Sequence, residues 1–325
     1  MKIVRSLQDP LLPLRNTAVA LGIFDGVHAG HQAVLQKAAE AARENRLTPC
    51  AFTFALSEPP MQVKEGAARL ASPRLMEKLL DRLGMEYAVA PSFAEMRGMT
   101  GEEFVRFLAQ SLGARFVCCG YDFAFGRGRA NNAADLCRLA EQAGIACAVV
   151  PQVSADGERV SSTRIREHIA AGDMPGAAAL LGRPFTIDFR VVLGNRIGRT
   201  LGSPTINQPF PKDFAIPRYG VYATIAWVDG VLYSGVTNVG IKPTVGSDVP
   251  LAETYLQGFS GDLYGRKIEV AFLEFIRPET KFASIEELRE NIFRNADTAA
   301  EIVRRYGARH PDPLKQQNAG EPVSG

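Results

Sequence analysis

The sequence has no strong excess of charge of either sign: 37 Lys and Arg residues nearly balance 35 Asp and Glu residues, for a formal net charge of +2. Bulk binding to nucleic acid or to a membrane surface usually requires a concentrated basic face. The near balance therefore predicts no nucleic-acid partner and no membrane partner. The sequence also lacks an apolar run near the roughly 20 residues that cross a bilayer, and its N-terminus lacks a signal-peptide pattern. We expect a cytoplasmic protein.

Cysteines at metal-ligand spacing are also absent. The five cysteines are an odd number, and Cys118 and Cys119 are adjacent in an apolar run, so at most one of them faces a given side of a strand. The other three, Cys50, Cys137 and Cys147, are scattered through predicted core segments. We expect reduced, buried thiols that behave as small hydrophobic side chains, and no zinc site.

The first half of the sequence alternates apolar runs with amphipathic stretches, and its 325-residue length predicts two domains. Strands are predicted at 17–23, 49–54, 87–90, 116–120 and 146–150. Helices are predicted at 32–43, 73–83, 101–112 and 133–143, with two more at 163–170 and 174–181. This rhythm predicts a Rossmann-like α/β domain over 1–182, built on a doubly wound, mainly parallel sheet.

A different pattern begins at residue 183. Short alternating strands are predicted at 185–193, 221–228, 231–236, 253–259 and 267–275. Asp229-Gly230 is typical of a two-residue hairpin turn. Ser284 and Glu287 form a capping-box pattern that begins a long amphipathic helix. We predict a small antiparallel β-barrel or sandwich with a closing α-helix over 183–307, and a disordered tail over 308–325.

The segment Gly22–His31, with the sequence GIFDGVHAGH, follows an apolar run and precedes a predicted helix. A strand, a glycine-rich turn and a helix start together let backbone amides approach a phosphate. His28 and His31 share one face of the first helical turn, and imidazoles aimed at a phosphate indicate chemistry there. An ordinary strand–helix connection is the alternative. The candidate phosphate-binding residues are Gly22, Phe24, Asp25, Gly26 and Gly30, and the candidate catalytic residues are His28 and His31.

Three other segments of the first half suit the same site, and one of them is Thr53-Phe54-Ala55-Leu56 at the end of the second predicted strand. Hydroxyl and guanidinium groups at a predicted helix start form either a phosphate clamp or a plain helix cap, and these residues are Ser161, Ser162, Thr163 and Arg166. A loop after the strand at 116–120 has two phenylalanines that suit a flat ring and an aspartate that suits a ring N–H, unless the aromatics pack into the core. These residues are Asp122, Phe123 and Phe125.

The second half carries a run of glycines followed by two polar residues in an extended segment. The glycines let backbone amides wrap a phosphate chain, although their spacing is not that of a Walker loop, and the candidates are Gly194, Gly198, Arg199 and Gly202. Thr205 and Asn207 are two residues apart, so both side chains point the same way and offer hard oxygen ligands for Mg²⁺. On spacing alone, a solvent-facing bulged loop is equally compatible.

As an ordered set, these motifs resemble those of the bacterial bifunctional riboflavin kinase/FAD synthetase family. The segments Gly22–His31, Gly120–Gly126 and Ser161–Arg166 resemble its FMN adenylyltransferase signatures. The segments Gly198–Asn207, Gly235–Thr244 and Asp262–Gly265 resemble its kinase domain. The resemblance implies a nucleotidyltransferase first domain, a kinase barrel, the substrates riboflavin, FMN and ATP, and Mg²⁺ bound with ATP.

The resemblance also implies roles for particular residues. His28 and His31 would stabilise the charge that develops when the phosphate of FMN attacks ATP, while Ser162 and Arg166 would hold the triphosphate. Glu253 would take the proton from the 5′-hydroxyl of riboflavin, unless it is an exposed strand glutamate. One departure is clear: many members have a His-Pro pair after the second strand, whereas this chain has Pro59-Pro60 there.

Two other functions fit part of the sequence. An adenylyltransferase with another acceptor, such as a pantetheine phosphate, would make the barrel an accessory, and this does not account for Thr205, Asn207 and Glu253 together. A regulatory barrel that binds flavin or RNA would need an aromatic platform among basic residues, which the second half does not show. We therefore expect a bifunctional enzyme that converts riboflavin to FMN and then FMN to FAD, using ATP in both steps.

Overall fold

The computed structural model describes residues 1–54, 56, 67–155, 157–194, 205–241, 249–280 and 282–309. By its internal contacts the chain divides into two compact units, Met1–Ser162 and Thr163–Gly325. Two helices that the sequence analysis placed in the first domain, over 163–181, group by contacts with the second unit. Each unit is described by itself below.

The first unit contains most of the predicted α/β elements at nearly the predicted bounds. Its strands are β1 (Lys2–Val4), β2 (Thr17–Leu21), β3 (Thr48–Phe52), β4 (Tyr87–Val89), β5 (Ala114–Gly120), β6 (Ala124–Phe125), β7 (Asn131–Asn132), β8 (Ala146–Val150), β9 (Ser154–Ala155) and β10 (Glu158–Arg159). Its helices are α1 (Ala29–Asn45), α2 (Pro73–Arg82), α3 (Phe93–Met96), α4 (Gly101–Gln110) and α5 (Ala133–Gln142), and α6 (Ser162–Ala171) begins at its end.

Six of these strands form a fully parallel sheet in the order β1-β4-β3-β2-β5-β8. The chain passes from β2 to β3 on one side and later returns to β5 on the other side. The order therefore reverses beside β2, and in doubly wound sheets the crevice at such a reversal is where ligands bind. The predicted parallel sheet is confirmed.

Both faces of this sheet are covered by helices. On β2, Val19 and Leu21 pack in a layer with residues of α4 and α5, whereas Ala20 packs in the opposite layer with residues of α1 and α2. Adjacent strand residues point to opposite faces, so a strand that is buried on both sides reads as a continuous apolar run. Little space remains for polar groups within the sheet, which leaves its carboxyl edge for chemistry.

The cysteine prediction is correct in part. Cys118 and Cys119 lie in opposite core layers, and Cys50 is also a buried free thiol whose pKa is raised by burial to about 12. The expectation of reduced thiols is wrong for Cys137 and Cys147, which form a disulfide between α5 and β8 with a Cα–Cα distance of 5.2 Å. The short connection from α5 to β8 brings the two elements, and therefore the two cysteines, close together. Sequence spacing alone does not reveal that the two side chains meet.

The second unit is antiparallel. Its elements after α6 are α7 (Met174–Leu181), β11 (Phe185–Ile187), β12 (Thr205–Pro209), β13 (Gly220–Val228), β14 (Val231–Ile241), β15 (Pro250–Leu256), β16 (Glu269–Arg277) and α8 (Ile285–Arg309). The sheet order is β11-β16-β13-β14-β15-β12. The strand predicted at 185–193 is regular only over β11. Beyond β11 the chain makes two isolated bridges, Arg190 to Lys267 and Val192 to Asn207.

The bridge from Val192 to Asn207 joins the segment after β11 to β12, so the sheet closes into the predicted small barrel. The hairpin prediction is confirmed, because Asp229 and Gly230 both have positive φ, at 50° and 78°, as a primed turn requires. Helix α8 packs against one face of β13, β14 and β16. It includes residues 308 and 309 of the predicted tail, and residues 310–325 lie outside the described residues.

Three threonine hydroxyls form a hydrogen-bonded row across the opposite face of this sheet. The Oγ1 atoms of Thr224 and Thr237 are 2.9 Å apart, those of Thr237 and Thr254 are 2.8 Å apart, and all three residues are fully buried. A buried hydroxyl that loses its partner is costly because it has no water to replace it.

We expect Thr237→Val to lower the free energy of unfolding of the barrel by about 1–3 kcal/mol, because the side-chain shape is kept while two buried hydroxyls lose a partner. Urea unfolding followed by the fluorescence of Trp227 measures this, since Trp227 is the single tryptophan of the chain and lies on β13. Thr298→Val on the exposed side of α8 is the matched control. Equal effects of the two substitutions would contradict the prediction.

Candidate functional sites

The turn after β2 has an unusual backbone. Phe24, Gly26 and Val27 have positive φ values of 57°, 73° and 43°. For Phe and Val such angles are strained, and strained backbone persists only where the surroundings hold it in place. Gly22 is required for a different reason, because a Cβ there would overlap the buried ring of Phe24. The glycines at 22 and 26 therefore have the conformational roles that the sequence suggested.

The two histidines are held against each other at the start of α1. His28 is the N-cap residue, and its Nδ1 accepts a hydrogen bond from the backbone N–H of His31 at 3.2 Å. The two rings stack at 3.5 Å between centroids, with an interplanar angle of 15°. Phe24 contacts the His31 ring edge-on at 5.5 Å. Since Nδ1 of His28 accepts, a neutral His28 carries its proton on Nε2 and can donate from there.

Burial alters the acid–base behaviour of His31. Its pKa is held well below the ordinary value, first because burial penalises the charged ring and second because His28 is close. Its Nδ1 is buried without a hydrogen-bond partner. Gly30 lies against the His28 ring, where a Cβ would come within 3.3 Å of it. The floor of this turn is therefore a packed pair of imidazoles, in which burial disfavours the charged form of His31.

Two side chains support the turn; the segment of Thr53 was expected at this site from the sequence, whereas Gln32 was not. The Gln32 amide donates to the carbonyl of Val27 at 2.9 Å, and the Thr53 hydroxyl donates to the carbonyl of Ile23 at 2.5 Å. Asp25, a candidate phosphate-binding residue, is buried and accepts from the backbone N–H of Leu70 at 3.0 Å. The signal for Gln32 was its position one residue after the HxGH motif, whereas Leu70 is distant along the chain and gave no signal.

The predicted flavin loop lies beside this turn. Leu21 of β2 is in register with Cys119 of β5, so the segments that follow, from Gly22 and from Gly120, leave adjacent strands at the same edge. This is the side of β2 where the strand order reverses. The structure thus brings the Gly22–His31 turn and the Gly120–Gly126 loop to one crevice.

Aromatic rings continue from this loop into the core. Phe123 and Phe125 stack at 5.7 Å with an interplanar angle of 16°, and Phe125 contacts Phe104, which in turn contacts Phe52. Phe125 is buried, whereas Phe123 is half-buried. Phe125 thus belongs to the core, and Phe123 packs against the same core while keeping part of its surface exposed.

Asp122 lies at the exposed tip of the loop. Its carboxylate accepts from the guanidinium of Arg159 on β10 at 3.4 Å, and the same guanidinium lies over the ring of Tyr121 at 5.3 Å. Exposed pairs of this kind contribute little to stability. Neither Arg159 nor Tyr121 was a predicted site residue, because nothing in their spacing links them to the loop.

The hydroxyl-rich segment approaches the turn through Val160. A Cγ atom of Val160 is 3.9 Å from the Cβ position of Gly30, which places Ser161 and Ser162 next to the start of α1. Helix α6 begins at Ser162, so its first turn contains Thr163 and Arg166 follows. By contacts, Thr163 and Arg166 belong to the second unit.

In the barrel, three predicted residues lie on one face of two paired strands. Asn207 of β12 is directly opposite Glu253 of β15, and Thr205 is opposite Tyr255. Directly opposite residues share a face, with Cβ atoms about 5 Å apart. The structure therefore brings Thr205, Asn207 and Glu253 together, on a half-buried surface rather than a solvent-facing bulge.

Asn207 is held unusually closely. It is 5% exposed, its backbone carbonyl accepts from Val192 at 2.8 Å, and a Cβ at Gly194 would overlap its carboxamide. Its Oδ1 is buried without a hydrogen-bond partner. A buried carbonyl oxygen without a partner is costly, which is consistent with a ligand that arrives from outside the chain. The predicted residues Gly198, Arg199 and Gly202 lie outside the described residues.

Comparison with known proteins identifies both units. Residues 13–164 match the family model for FAD synthetase, and residues 181–303 match that for riboflavin kinase. A bifunctional riboflavin kinase/FMN adenylyltransferase from Pseudomonas fluorescens is 37% identical over 304 residues, covering 92% of this chain and 96% of the relative. The Escherichia coli K12 protein of the same description is 35% identical over 312 residues, covering 93% and 98%. The chain belongs to the bifunctional riboflavin kinase/FMN adenylyltransferase family.

A solved structure supports the same two-part fold. A Streptococcus pneumoniae protein, described as a macrolide-efflux protein, matches with a TM-score of 0.79 and 28% identity, covering 92% of this chain and 98% of its own. Among the described residues of this chain, no helix is both long and apolar enough to span a membrane. In the same residues, no group of three or more His, Cys, Asp or Glu side chains is arranged to hold a metal ion.

The lowered pKa of His31 makes stability depend on pH. Below the ordinary histidine pKa of about 6.5 the unfolded chain binds more protons at this position than the folded chain does. The stabilising contribution is therefore complete above that pH and is lost as the pH falls through and below it. We expect His31→Gln to show a smaller loss of stability than the unsubstituted protein between about pH 7.5 and pH 5.5.

Hydrogen exchange of the α1 amides at the two pH values measures this difference, because it reports on the first unit alone. His168→Gln on α6 is a control, since His168 lies outside the turn and bonds to Asp173. An unchanged pH dependence in His31→Gln would show that His31 is not the titrating group.

Proposed function

We propose that the first unit transfers the adenylyl group of ATP to FMN at the crevice beside β2, and that the barrel phosphorylates riboflavin at the Thr205–Asn207–Glu253 surface. We also propose a domain division at 182/183, which assigns α6 and its phosphate-clamp residues to the adenylyltransferase. The observation that carries the first assignment is the stacked histidine pair on a strained strand–helix turn. The observation that carries the second is the register that places Asn207 opposite Glu253.

In the adenylyl transfer, a phosphate oxygen of FMN attacks the α-phosphorus of ATP, and the bond to pyrophosphate breaks. The nucleophile is already an anion, so the protein needs groups that position it and stabilise charge on the phosphorus oxygens. A His28 that carries its proton on Nε2 can donate to such an oxygen. The phosphates would favour protonation of His31, opposing the effect of burial. Ser161, Ser162, Thr163 and Arg166 are suited to the leaving pyrophosphate.

The flavin of FMN suits the loop after β5. Phe123 is half-buried and stacked on a fixed ring, so it can support a flat isoalloxazine without rearranging the core. Asp122 at the loop tip can accept from a ring N–H of the flavin, since its present partner is an exposed arginine on a short hairpin. Both groups lie at the strand edge beside the histidine turn, so a flavin held by the loop would carry its phosphate near that turn.

In the kinase reaction, the nucleophile is the 5′-hydroxyl of riboflavin, which is neutral and a poor nucleophile. Glu253 is a half-buried carboxylate that can accept its proton as the oxygen attacks the γ-phosphorus of ATP and ADP leaves. The family has His and Asp where this chain has Tyr255 and Gly258. Tyr255 packs edge-on against Phe293 at 6.4 Å, so the replacement serves the core next to the base.

The Thr205–Asn207 pair fits a magnesium ion. The unpartnered, buried Oδ1 of Asn207 and the hydroxyl of Thr205 are hard oxygen donors without charge, which suits Mg²⁺ that keeps waters and bridges phosphates. When bound, Mg²⁺ neutralises the charge that develops on the phosphates. We propose a cytoplasmic location because ATP, a substrate of both reactions, is available there. The proposed partners are the small molecules riboflavin, FMN and ATP.

We expect His28→Ala to lower FAD synthesis from supplied FMN by at least about 100-fold while kinase activity stays near that of the unsubstituted protein. Removal of the ring deletes the phosphate donor and the N-cap of α1 but leaves the barrel intact. Chromatographic separation of FMN and FAD after incubation with ATP and Mg²⁺ measures both activities in one sample. Parallel loss of both activities in a folded variant would exclude separate sites.

The reciprocal substitution is Glu253→Gln, which keeps the shape but cannot accept the proton. We expect it to lower kinase kcat by at least about 100-fold and to leave adenylylation of supplied FMN unchanged. Glu274→Gln on β16 is a matched control on another strand of the same sheet, where the carboxylate pairs with Arg305 on α8. A kinase rate in Glu253→Gln equal to that of the control would remove Glu253 from the role of base.

A further inference from the structure

Glu253 has a second polar neighbour that the kinase proposal does not use. Asn238 of β14 is directly opposite Glu253, on the side away from Asn207. The three side chains thus form one row across three strands, in the order Asn207, Glu253, Asn238. Neighbouring members of the row have Cβ atoms about 5 Å apart and share one face of the sheet.

The carboxamide of Asn238 is fixed from the far side. Its Nδ2 donates to Oε1 of Glu279, which follows β16, at 3.1 Å. The Glu279 carboxylate lies over Gly240, where any Cβ would overlap it. Among the described residues, this is the one hydrogen bond of the Asn238 side chain, so its oxygen and second N–H are available for a ligand. Asn238 is half-buried and Glu279 is exposed, which means that a ligand can reach the amide.

The chemistry of phosphoryl transfer decides what lies at each end of the row. The attacking and leaving oxygens are roughly in line with the phosphorus atom. The carbon chain that carries the attacking oxygen therefore extends away from the phosphates. With the metal and phosphates at Asn207 and the attacking 5′-oxygen at Glu253, the rest of the ribityl chain must extend toward Asn238.

We infer that Asn238 binds the 4′-hydroxyl of riboflavin, and that Glu279 is a positioning residue that orients the Asn238 carboxamide for this contact. The 4′-oxygen is on the carbon next to the one that carries the 5′-oxygen in the ribityl chain. The residue next to Glu253 in the row is therefore the one placed to bind it. The contact makes the kinase selective for an acceptor with vicinal hydroxyls at its end. This inference rests on the proposed role of Glu253.

The decisive experiment compares riboflavin with 4′-deoxyriboflavin as kinase substrates. We expect the unsubstituted protein to lose about tenfold in kcat/KM with the deoxy substrate, because one hydrogen bond to the amide is missing. We expect the kcat/KM of Asn238→Ala for riboflavin to be about tenfold below that of the unsubstituted protein. Its kcat/KM values for riboflavin and for 4′-deoxyriboflavin should differ by less than about twofold. A merely structural role of Asn238 would leave the discrimination between substrates intact, and that result would overturn the inference.

Three further variants test the role of Glu279. Glu279→Ala should lose most of the discrimination between riboflavin and 4′-deoxyriboflavin. Glu279→Gln should retain it, because its side-chain oxygen can still accept the hydrogen bond from Asn238. Gly240→Ala should resemble Glu279→Ala, because the new methyl group displaces the carboxylate. Glu301→Ala, an exposed glutamate on α8, is the charge-matched control. If Glu279→Gln were as defective as Glu279→Ala, the negative charge and not the hydrogen bond would matter, and the positioning role would be wrong.

The failure of this inference is distinguishable from that of the proposed kinase site. Glu253→Gln measured in parallel reports on the base alone. If Glu253→Gln abolishes phosphorylation while Asn238→Ala discriminates like the unsubstituted protein, the base stands and the contact with the 4′-hydroxyl is refuted. Adenylylation of supplied FMN should be unchanged in every variant, and its loss would show that the substitution had damaged the whole chain.

Discussion

The alternation of side chains along each strand determines where this protein can place polar chemistry. In the parallel sheet both faces are buried, so β2 alternates between two apolar layers and offers no position for a reactive group. Reactive residues are therefore confined to the loops at the carboxyl edge. In the barrel one face carries the buried threonine row, and the next residues along the same strands, Asn238 and Glu253, face the other way. A slip of one residue in register would exchange these two sets.

At the carboxyl edge, the turn after β2 depends on contacts from distant parts of the sequence. Positive φ at Phe24 and Val27 is unfavourable for those residues, and the local sequence does not compensate for it. The compensation comes from Gln32 on α1 and Thr53 after β3, whose side chains hold the carbonyls of the turn. The stacked histidines are a consequence of this geometry, since the N-cap position of His28 follows directly from the end of the strained turn.

The sequence predicted most elements because their patterns are local. The bounds of β8 and α7 agree with prediction, and the predicted helices of the first unit differ by a few residues at most at their ends, although the short α3 was not predicted. The misses have physical reasons. The strand predicted at 231–236 continues to Ile241 as β14, because Asn238 and Gly240 read as a strand end but serve the surface beside Glu253. The Cys137–Cys147 disulfide and the contact of Asp25 with Leu70 depend on the folded approach of separate segments, which spacing cannot show.

The two proposed reactions call for different residue types because their nucleophiles differ. A hydroxyl must lose its proton as it attacks, so the proposed kinase site needs a carboxylate as base. That carboxylate would need neutral neighbours to remain close to a phosphate-bound metal. Asn207 and Asn238 on either side of Glu253 meet this requirement, because a carboxamide binds without adding negative charge.

A phosphate monoester is already anionic, so the crevice beside β2 needs donors rather than a base. In the proposed adenylyl transfer, the packed imidazoles of His28 and His31 would provide these donors. A single site could not satisfy both requirements, since a carboxylate placed for the first reaction would repel the nucleophile of the second.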